Sequence, residues 1–348
     1  WEPIMPNEQV RWGLMSTARI NERLIPPICA SQRSELLAIA SRSQDKAQRY
    51  AKQWKIPRAY GTYDELLADP EVDVVYISLP NGLHVEWSVK CADAGKHVLC
   101  EKPLALSTEG IDRMAEAAQR NAVVIQEAAM MRFHPQTQYV QQLIASGAIG
   151  DVRLIRGIFG YVLSNPEDVR LAPDQGGGSL WDLGSYCVSF ARAVLQDEPI
   201  EVLASETTSD RGVDLSLSGQ MRFAKDIHVH FFSSLQSFAH VEADLLGSEG
   251  RMQLDFPWVN QLGRSGTVKL IRHDGTPRKS AWDDGMLNQT TQLQTYPDVN
   301  AYQDEVDSMV TSILDGTEPV ITLTDSQKNV TAIVALLKSA RTDRAVVI

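Results

Sequence analysis

The sequence predicts an α/β first domain on a parallel sheet, followed by an α+β domain on a large, mostly antiparallel open sheet. Three observations predict this. Near-continuous apolar runs alternate with helical patterns through residues 1–128, as they do where parallel strands are covered on both faces. Beyond residue 135 strand-like segments dominate, divided by turn signals such as Ala224-Lys225-Asp226. The run 95–100 ends in Glu101-Lys102-Pro103, which puts a lysine at the carboxyl edge of a buried strand, where ligands of open α/β sheets bind.

Residues 10–15 read as the first strand, and 20–30 as a helix disturbed by Pro26-Pro27. Residues 36–40 form a buried strand, and 43–54 a helix with Ser43 as its N-cap. An apolar strand over 72–79 stops at Pro80-Asn81-Gly82, and a helix over 83–94 stops at Gly95. A strand at 97–100, a helix at 107–120 and a strand at 123–126 complete the first domain. A helix over 135–146 then leads to strands at 152–162, 200–207, 215–223, 227–235, 241–246 and 268–273, interrupted by a helix over 180–195. Helices near 300–314 and 324–340 close the chain. The expected division is 1–128 and 129–348, with room for the C-terminal tail to return to the first domain.

A length of 348 residues accommodates two domains. With 43% hydrophobic and 22% charged residues, the balance is that of a soluble globular chain. No apolar run reaches the ~18 residues of a membrane span. A net charge of −11 without a basic stripe argues against nucleic acid as a partner. Cys29, Cys91, Cys100 and Cys187 lack CxxC spacing, and three of them sit in apolar patterns, so reduced thiols of a cytosolic protein are expected rather than a disulfide framework or a zinc site. The chain begins at Trp1, which leaves upstream residues and a removed export signal open; the expected location is cytoplasmic, with periplasmic as the alternative. His228 and His230 share one strand face near His240. Without a carboxylate at ligand spacing or an HExxH pattern they read as sheet-surface histidines, and no metal is expected.

The first strand runs into Gly13-Leu14-Met15-Ser16-Thr17-Ala18-Arg19-Ile20-Asn21. A dinucleotide (Rossmann) fingerprint would place glycines at 16, 18 and 21, where this chain has Ser16, Ala18 and Asn21. Small residues at 16 and 18 still permit close backbone approach, and the helix start still offers N–H groups to a pyrophosphate. Ser16, Thr17, Ala18, Arg19 and Ile20 are therefore candidate cofactor contacts. An NAD-preferring site places Asp or Glu at the end of strand two. Here stand Ser41-Arg42-Ser43, with Lys46 one turn on. A hydroxyl and a guanidinium suit a 2′-phosphate, so NADP is the expected cofactor; a solvated arginine is the plain alternative. Leu79 and Pro80 can wall the cleft, while Asn81 and His84 can reach a ribose or amide, unless Asn81 simply caps the next helix.

Gly176-Gly177-Gly178-Ser179-Leu180-Trp181-Asp182-Leu183-Gly184-Ser185-Tyr186 opens a helix after a glycine loop. Asp182 and Tyr186 are four residues apart and share a helix face. Taken with Lys102 and an inferred nicotinamide, they read as a catalytic set. Residues 13–20, Glu101-Lys102-Pro103, 127–135 and 176–186 together resemble the Gfo/Idh/MocA family. Within it the chain is most similar to the branch of glucose–fructose oxidoreductase, NADP-dependent D-xylose dehydrogenase and dimeric dihydrodiol dehydrogenase. The likeness runs over nearly the whole chain, through Asn300-Ala301-Tyr302 and Ala340-Arg341-Thr342.

The resemblance implies that Lys102, Asp182 and Tyr186 carry catalysis, and the tyrosine, which replaces the histidine of many relatives, points to this branch. Glu101, Lys102 and Arg170 join the expected cofactor contacts, Lys102 through the nicotinamide ribose. Arg132, in the branch's Arg132-Phe133-His134-Pro135, joins the expected substrate contacts, a surface salt bridge being the other use for either arginine. Ala128-Ala129-Met130 replace the usual aromatic residue before that motif, which implies a reshaped sugar site. Relatives place the substrate between the nicotinamide and the second sheet, and assemble as homodimers or homotetramers through that sheet's outer face.

The expected reaction moves hydride from C1 of an aldose to NADP⁺ while Tyr186 takes the hydroxyl proton. A tyrosine near pKa ~10 is a poor base at neutral pH unless an ammonium such as that of Lys102 lowers it. Asp182 orients the substrate hydroxyl or the lysine. Two other readings are a glucose–fructose-type enzyme that never releases its NADP, and a non-catalytic NADP-binding regulator. A regulator has no need of Lys102, Asp182 and Tyr186 together. Sugar specificity is expected from loops 162–175 and 260–287.

Overall fold

The computed structural model describes residues 9–258, 266–275, 289–297 and 299–348. Two compact units divide the chain: one holds the residues up to 133 with 301–330, the other 134–300 with 331–348. Among the described residues the α-helices, in chain order, are α1 (Asn21–Ala30), α2 (Gln44–Trp54), α3 (Tyr63–Leu67), α4 (His84–Asp93), α5 (Thr108–Asn121), α6 (Pro135–Ala145), α7 (Ser185–Leu195), α8 (Ala301–Asp315) and α9 (Leu323–Thr342).

The first unit is built on β1 (Val10–Met15), β2 (Ser34–Ala40), β3 (Arg58–Tyr60), β4 (Val74–Ile77), β5 (His97–Glu101) and β6 (Ile125–Ala128). Every neighbouring pair is parallel, in the order 3-2-1-4-5-6. This is the order of a dinucleotide-binding sheet, with its ligand crevice at the carboxyl ends of the strands where the order reverses. Every residue of β4 is buried, and Val98, Leu99 and Cys100 of β5 are fully so, which is why these strands read as unbroken apolar runs. Side chains set the helix starts. Ser43 accepts the Lys46 amide ahead of α2, and Ser107 the Gly110 amide ahead of α5. At the end of α4, the Gly95 and Lys96 amides return to the Ala92 and Cys91 carbonyls, both at 2.9 Å, and close the helix as expected. Two elements of this unit were not expected from sequence. β3 has three residues and α3 five, the latter fixed by a reciprocal Thr62–Glu65 capping box.

The second unit carries β7 (Val152–Val162), β8 (Glu201–Thr208), β9 (Asp214–Arg222), β10 (His228–Ser234), β11 (Gln236–Gly247), β12 (Gly250–Asp255), β13 (Gly266–His273), β14 (Gln289–Tyr296) and β15 (Val346–Val347). They form one sheet in the order 14-13-12-11-7-10-9-8-15. β7 and β10 pair in parallel and every other pair is antiparallel, so the sheet is mostly antiparallel as expected. α6 packs against α7 and β13, and α7 against β7, which buries Val188, Phe190, Ala191 and Val194 of α7. α6 starts at His134, whose Nδ1 accepts the Gln136 amide, with Pro135 at the first helical position. Cys91, Cys100 and Cys187 are buried thiols, and Cys29 is an exposed one. Among the described residues no helix is long and apolar enough to cross a membrane, and no group of three or more metal-ligating side chains assembles.

Candidate active site

At the carboxyl end of β1 the backbone turns at Ser16 with φ 107°. A non-glycine residue held in such a region costs about 1–3 kcal/mol. A dense set of hydrogen bonds holds it there. The Ser16 amide donates to the Ala40 carbonyl (3.0 Å), and its hydroxyl lies 2.9 Å from the Ser78 hydroxyl. The Ala18 amide donates to Ser16 Oγ (3.1 Å), and Asn21 Nδ2 to the Ser16 carbonyl (2.7 Å). Ser78 Oγ donates to Asn21 Oδ1 (2.7 Å), and Asn21 is fully buried. The fingerprint positions that carry no glycine thus shape the loop by hydrogen bonding instead. The Asn21, Glu22 and Arg23 amides are spent on the Ala18, Arg19 and Ile20 carbonyls, which removes these three from the donors expected to face a pyrophosphate.

At the end of β2, Ser41 is buried and its amide donates to the Tyr60 carbonyl. Arg42 and Lys46 are exposed. Burial raises the Tyr63 phenol while the nearby Arg42 charge works against that rise, and the Tyr63 ring stands edge-on to Trp87 with centroids 5.0 Å apart. An exposed guanidinium with no carboxylate at 41–43 fits phosphate oxygens better than a ribose diol.

β5 ends at Glu101, which accepts the Tyr76 hydroxyl at 2.5 Å. Lys102 follows, and the Lys102–Pro103 peptide is cis. Two buried side chains fasten this loop. His84 places Nδ1 2.9 Å from the Pro103 carbonyl and Nε2 2.8 Å from the Leu79 carbonyl. Glu127 accepts the Leu104 amide (3.1 Å) and the Ser326 hydroxyl (2.6 Å). The expectation that His84 reaches a ribose or amide is corrected: it is fully buried, both ring nitrogens face backbone carbonyls, and burial pulls its pKa down. Asn81 lies in the turn Asn81–Leu83, and no side chain caps α4. Burial raises the pKa of Glu101 and of Glu127. Glu305 is fully buried beside them, and burial together with their charges lifts it well above the carboxylate range.

In the second unit the glycine loop leads into a π-helical turn, Leu180–Gly184, which continues as α7. Such turns recur at functional sites because they redirect side chains off the regular helical path. Asp182 Oδ2 accepts Arg170 Nε at 2.6 Å and the Tyr161 hydroxyl at 3.2 Å. Arg170 Nη1 donates to Asp168 at 3.1 Å. Arg170, expected at the cofactor or in a salt bridge, forms the ion pair that clamps Asp182. Burial and the Asp182 charge push Tyr161 up to about 12, so it stays a neutral donor. The Tyr186 ring packs edge-on to Phe159 with centroids 5.4 Å apart. The glycines have a steric reason. A Cβ on Gly177 would lie 2.5 Å from the Arg170 carbonyl oxygen, and one on Gly178, at φ +121°, would lie 2.0 Å from Asp214 Oδ1.

Two family models match the chain: an oxidoreductase family with an NAD-binding Rossmann fold over residues 10–129, and the GFO/IDH/MocA C-terminal domain over residues 137–253. The chain belongs to the Gfo/Idh/MocA oxidoreductase family. Among curated relatives of this family, D-xylose 1-dehydrogenase (NADP(+)) 2 of Haloferax volcanii is 33% identical over 96% of this chain and 98% of its own length. Trans-1,2-dihydrobenzene-1,2-diol dehydrogenase of Danio rerio is 34% identical over 70% of this chain and 74% of its own length. Among solved structures, aldose-aldose oxidoreductase of Caulobacter crescentus, complexed with glycerol, aligns with a TM-score of 0.85 at 26% identity, covering 98% of this chain and 100% of that one. The protein is an NAD(P)-dependent oxidoreductase of the Gfo/Idh/MocA family, whose relatives include sugar dehydrogenases.

The remaining sequence-derived sites have the following surroundings. Of the two uses open to Arg132, the structure shows the ion pair, with Nη1 3.0 Å from Asp325. Phe133 buries its ring with Ala129 and Ile321. Burial takes His134 down to about 4, so it caps α6 as a neutral imidazole. Residues 259–265 and 276–288, most of the 260–287 loop expected to set sugar specificity, lie outside the described residues. Sequence reasoning missed Tyr161, Ser78, His84 as a loop fastener, and Asp214. Asn21 was visible at the third fingerprint position, where a buried amide gave no signal of its own.

Proposed function

We propose that this protein is an NADP-dependent sugar oxidoreductase acting at C1 of an aldose, with Tyr186 as the proton-transfer group and Lys102 and Asp182 as its partners. The observation that carries this reading is the fixed Asp182: its carboxylate is committed to Arg170 and Tyr161 on the turn that leads into Tyr186. A carboxylate locked this way is an orienting acceptor rather than a mobile base, which leaves the phenol four residues on to exchange the proton. Ser16 to Ile20, Ser41, Arg42, Lys46, Leu79, Pro80 and Asn81 would hold the cofactor, and Arg42 with Lys46 would take its 2′-phosphate. Bound NADP supplies the hydride acceptor. In oxidation Tyr186 accepts the proton of the substrate hydroxyl; in reduction it returns it. Lys102 contributes an ammonium whose charge favours the phenolate. Asp182 accepts a hydrogen bond from a substrate hydroxyl and fixes its direction. The likeness to the D-xylose 1-dehydrogenase (NADP(+)) of Haloferax volcanii supports both NADP and a sugar.

The test is NADPH formation from NADP⁺ with D-xylose, D-glucose and related aldoses, with NAD⁺ in parallel. Turnover with NADP⁺ and at least one aldose is expected; turnover with NAD⁺ alone removes the NADP assignment. The likeness to aldose-aldose oxidoreductase supports a second reading, hydride passage between two sugars on one retained cofactor. NADP that stays with the protein through purification, and turnover only when a second sugar is added, would select it. The same proposal includes self-association as a homodimer or homotetramer, which sedimentation velocity decides.

A further inference from the structure

Asp214, the first residue of β9, is a buried carboxylate that the proposed chemistry leaves unused. Burying a carboxylate is unfavourable unless its oxygens are hydrogen-bonded. Asp214 Oδ2 accepts the Ser179 hydroxyl and the Leu180 amide, both at 2.7 Å. Both donors belong to the start of the π-helical turn. Ser179 is held from a third side by Ser233 of β10, whose hydroxyl lies 3.0 Å away. Gly178 lies so close to Asp214 Oδ1 that no side chain fits between them. The Gly178 amide is bound to the Arg170 carbonyl at 2.9 Å, and the Asp182 amide to the Gly178 carbonyl at 3.2 Å. Arg170 returns through its side chain to Asp182. Hydrogen bonds among Gly178, Arg170 and Asp182 thus close a ring, and the Asp214 carboxylate binds the turn immediately beside it through Ser179 and Leu180.

We infer that Asp214 is a positioning residue: its carboxylate fixes the first turn of the helix that presents Asp182 and Tyr186. This rests on the proposed roles of those two residues. Asp214 acts through the turn and needs no contact with substrate or cofactor. A carboxylate suits the task because two donors converge on one oxygen, and an anionic acceptor makes the shorter, stronger bonds. An amide at the same position can present one oxygen to the same two donors but lacks the charge, so its bonds to them are weaker.

The experiment compares wild type with Asp214→Asn by hydrogen exchange on the ligand-free protein, and by steady-state kinetics with the best aldose. Exchange over residues 178–186 should accelerate by about 10-fold or more, while exchange over residues 84–128 stays within about twofold. In the kinetics, kcat should fall by roughly 10–100-fold, and KM for NADP⁺ should stay within about twofold. That split separates positioning from general destabilisation, which would loosen both regions together. Unchanged exchange over 178–186 in folded Asp214→Asn overturns the inference, whether or not any aldose is turned over. The failure of the sugar reading is thereby distinguishable from the failure of this one. If Asp214→Asn does not fold, Ser179→Ala decides by the same readouts: faster exchange over 178–186 with a lower kcat supports the inference, and no change in either overturns it.

Discussion

At the residue scale, the chemistry depends on polar groups buried at a cost and then satisfied. Asn21 is the clearest case in the first unit. Its amide holds the strained Ser16 turn from one side and Ser78 from the other. Asn21→Ala should lower stability by about 1–3 kcal/mol, because it removes the amide that holds the Ser16 carbonyl and one partner of the buried Ser78 hydroxyl. It should also weaken NADP⁺ binding, since the turn faces the crevice of the sheet; urea unfolding and cofactor titration check the two effects. Asp214 makes a pH-dependent case. Burial lifts it to about 6, against about 3.9 in an unfolded chain. The folded state therefore holds this proton more tightly. The stabilisation from that proton is complete below about pH 4 and is lost as pH rises through about 6, an effect on the order of 3 kcal/mol. Urea unfolding of wild type against Asp214→Asn from pH 4 to 7 should show the advantage of wild type greatest at acid and shrinking toward neutral. A pH-independent difference would show that Asp214 titrates as an ordinary carboxyl.

At the element scale, what could be read in the sequence was what local pattern dictates. β4 and β5 are buried on both faces, so their apolar runs are unbroken. Ser43 announced α2, and Gly95 the end of α4, because caps are local chemistry. β14 could not be read, since its residues, Gln289–Tyr296, are polar and exposed at nearly every position and carry no alternation. β3 and β15, of three and two residues, are too short to hold a pattern. The π-helical turn was hidden for another reason: residues 180–184 have ordinary helical spacing, and only the backbone shows the wider turn. The glycines before it were visible, but their cause was not. Gly178 is required by a carboxylate 36 residues later in the chain, a contact no local window contains. Gly178→Ala should therefore cost more than the ~1 kcal/mol of an ordinary glycine replacement. Thermal unfolding should show a loss well beyond that of Gly147→Ala, where a Cβ meets nothing within 4 Å and only the positive φ opposes the change.

At the scale of the whole molecule, the strand order 3-2-1-4-5-6 brings the ends of β1, β2, β4 and β5 to one edge of the first sheet. Ser16, Arg42, Ser78 and Lys102 follow those ends, which is why Glu101-Lys102-Pro103 singles out Lys102 in the sequence alone. The roles of Tyr161, His84 and Arg170 needed the folded chain, because each depends on a partner supplied by another segment. The protein carries a net charge of −11, so attraction for a polyanionic cofactor must come from local cations and not from the overall field. Arg42→Asp should lower kcat/KM for NADP⁺ by about 10–100-fold and raise it for NAD⁺, the loss being that of a charge-assisted hydrogen bond. An unchanged NADP⁺/NAD⁺ ratio would move the phosphate site elsewhere. The central claim is proton transfer by Tyr186 during hydride transfer from an aldose, and the most direct measurement is single-turnover NADPH formation by wild type and Tyr186→Phe at saturating NADP⁺. The account predicts a rate lower by about 10²–10⁴-fold in Tyr186→Phe with cofactor affinity retained. Equal rates in the two proteins would contradict it.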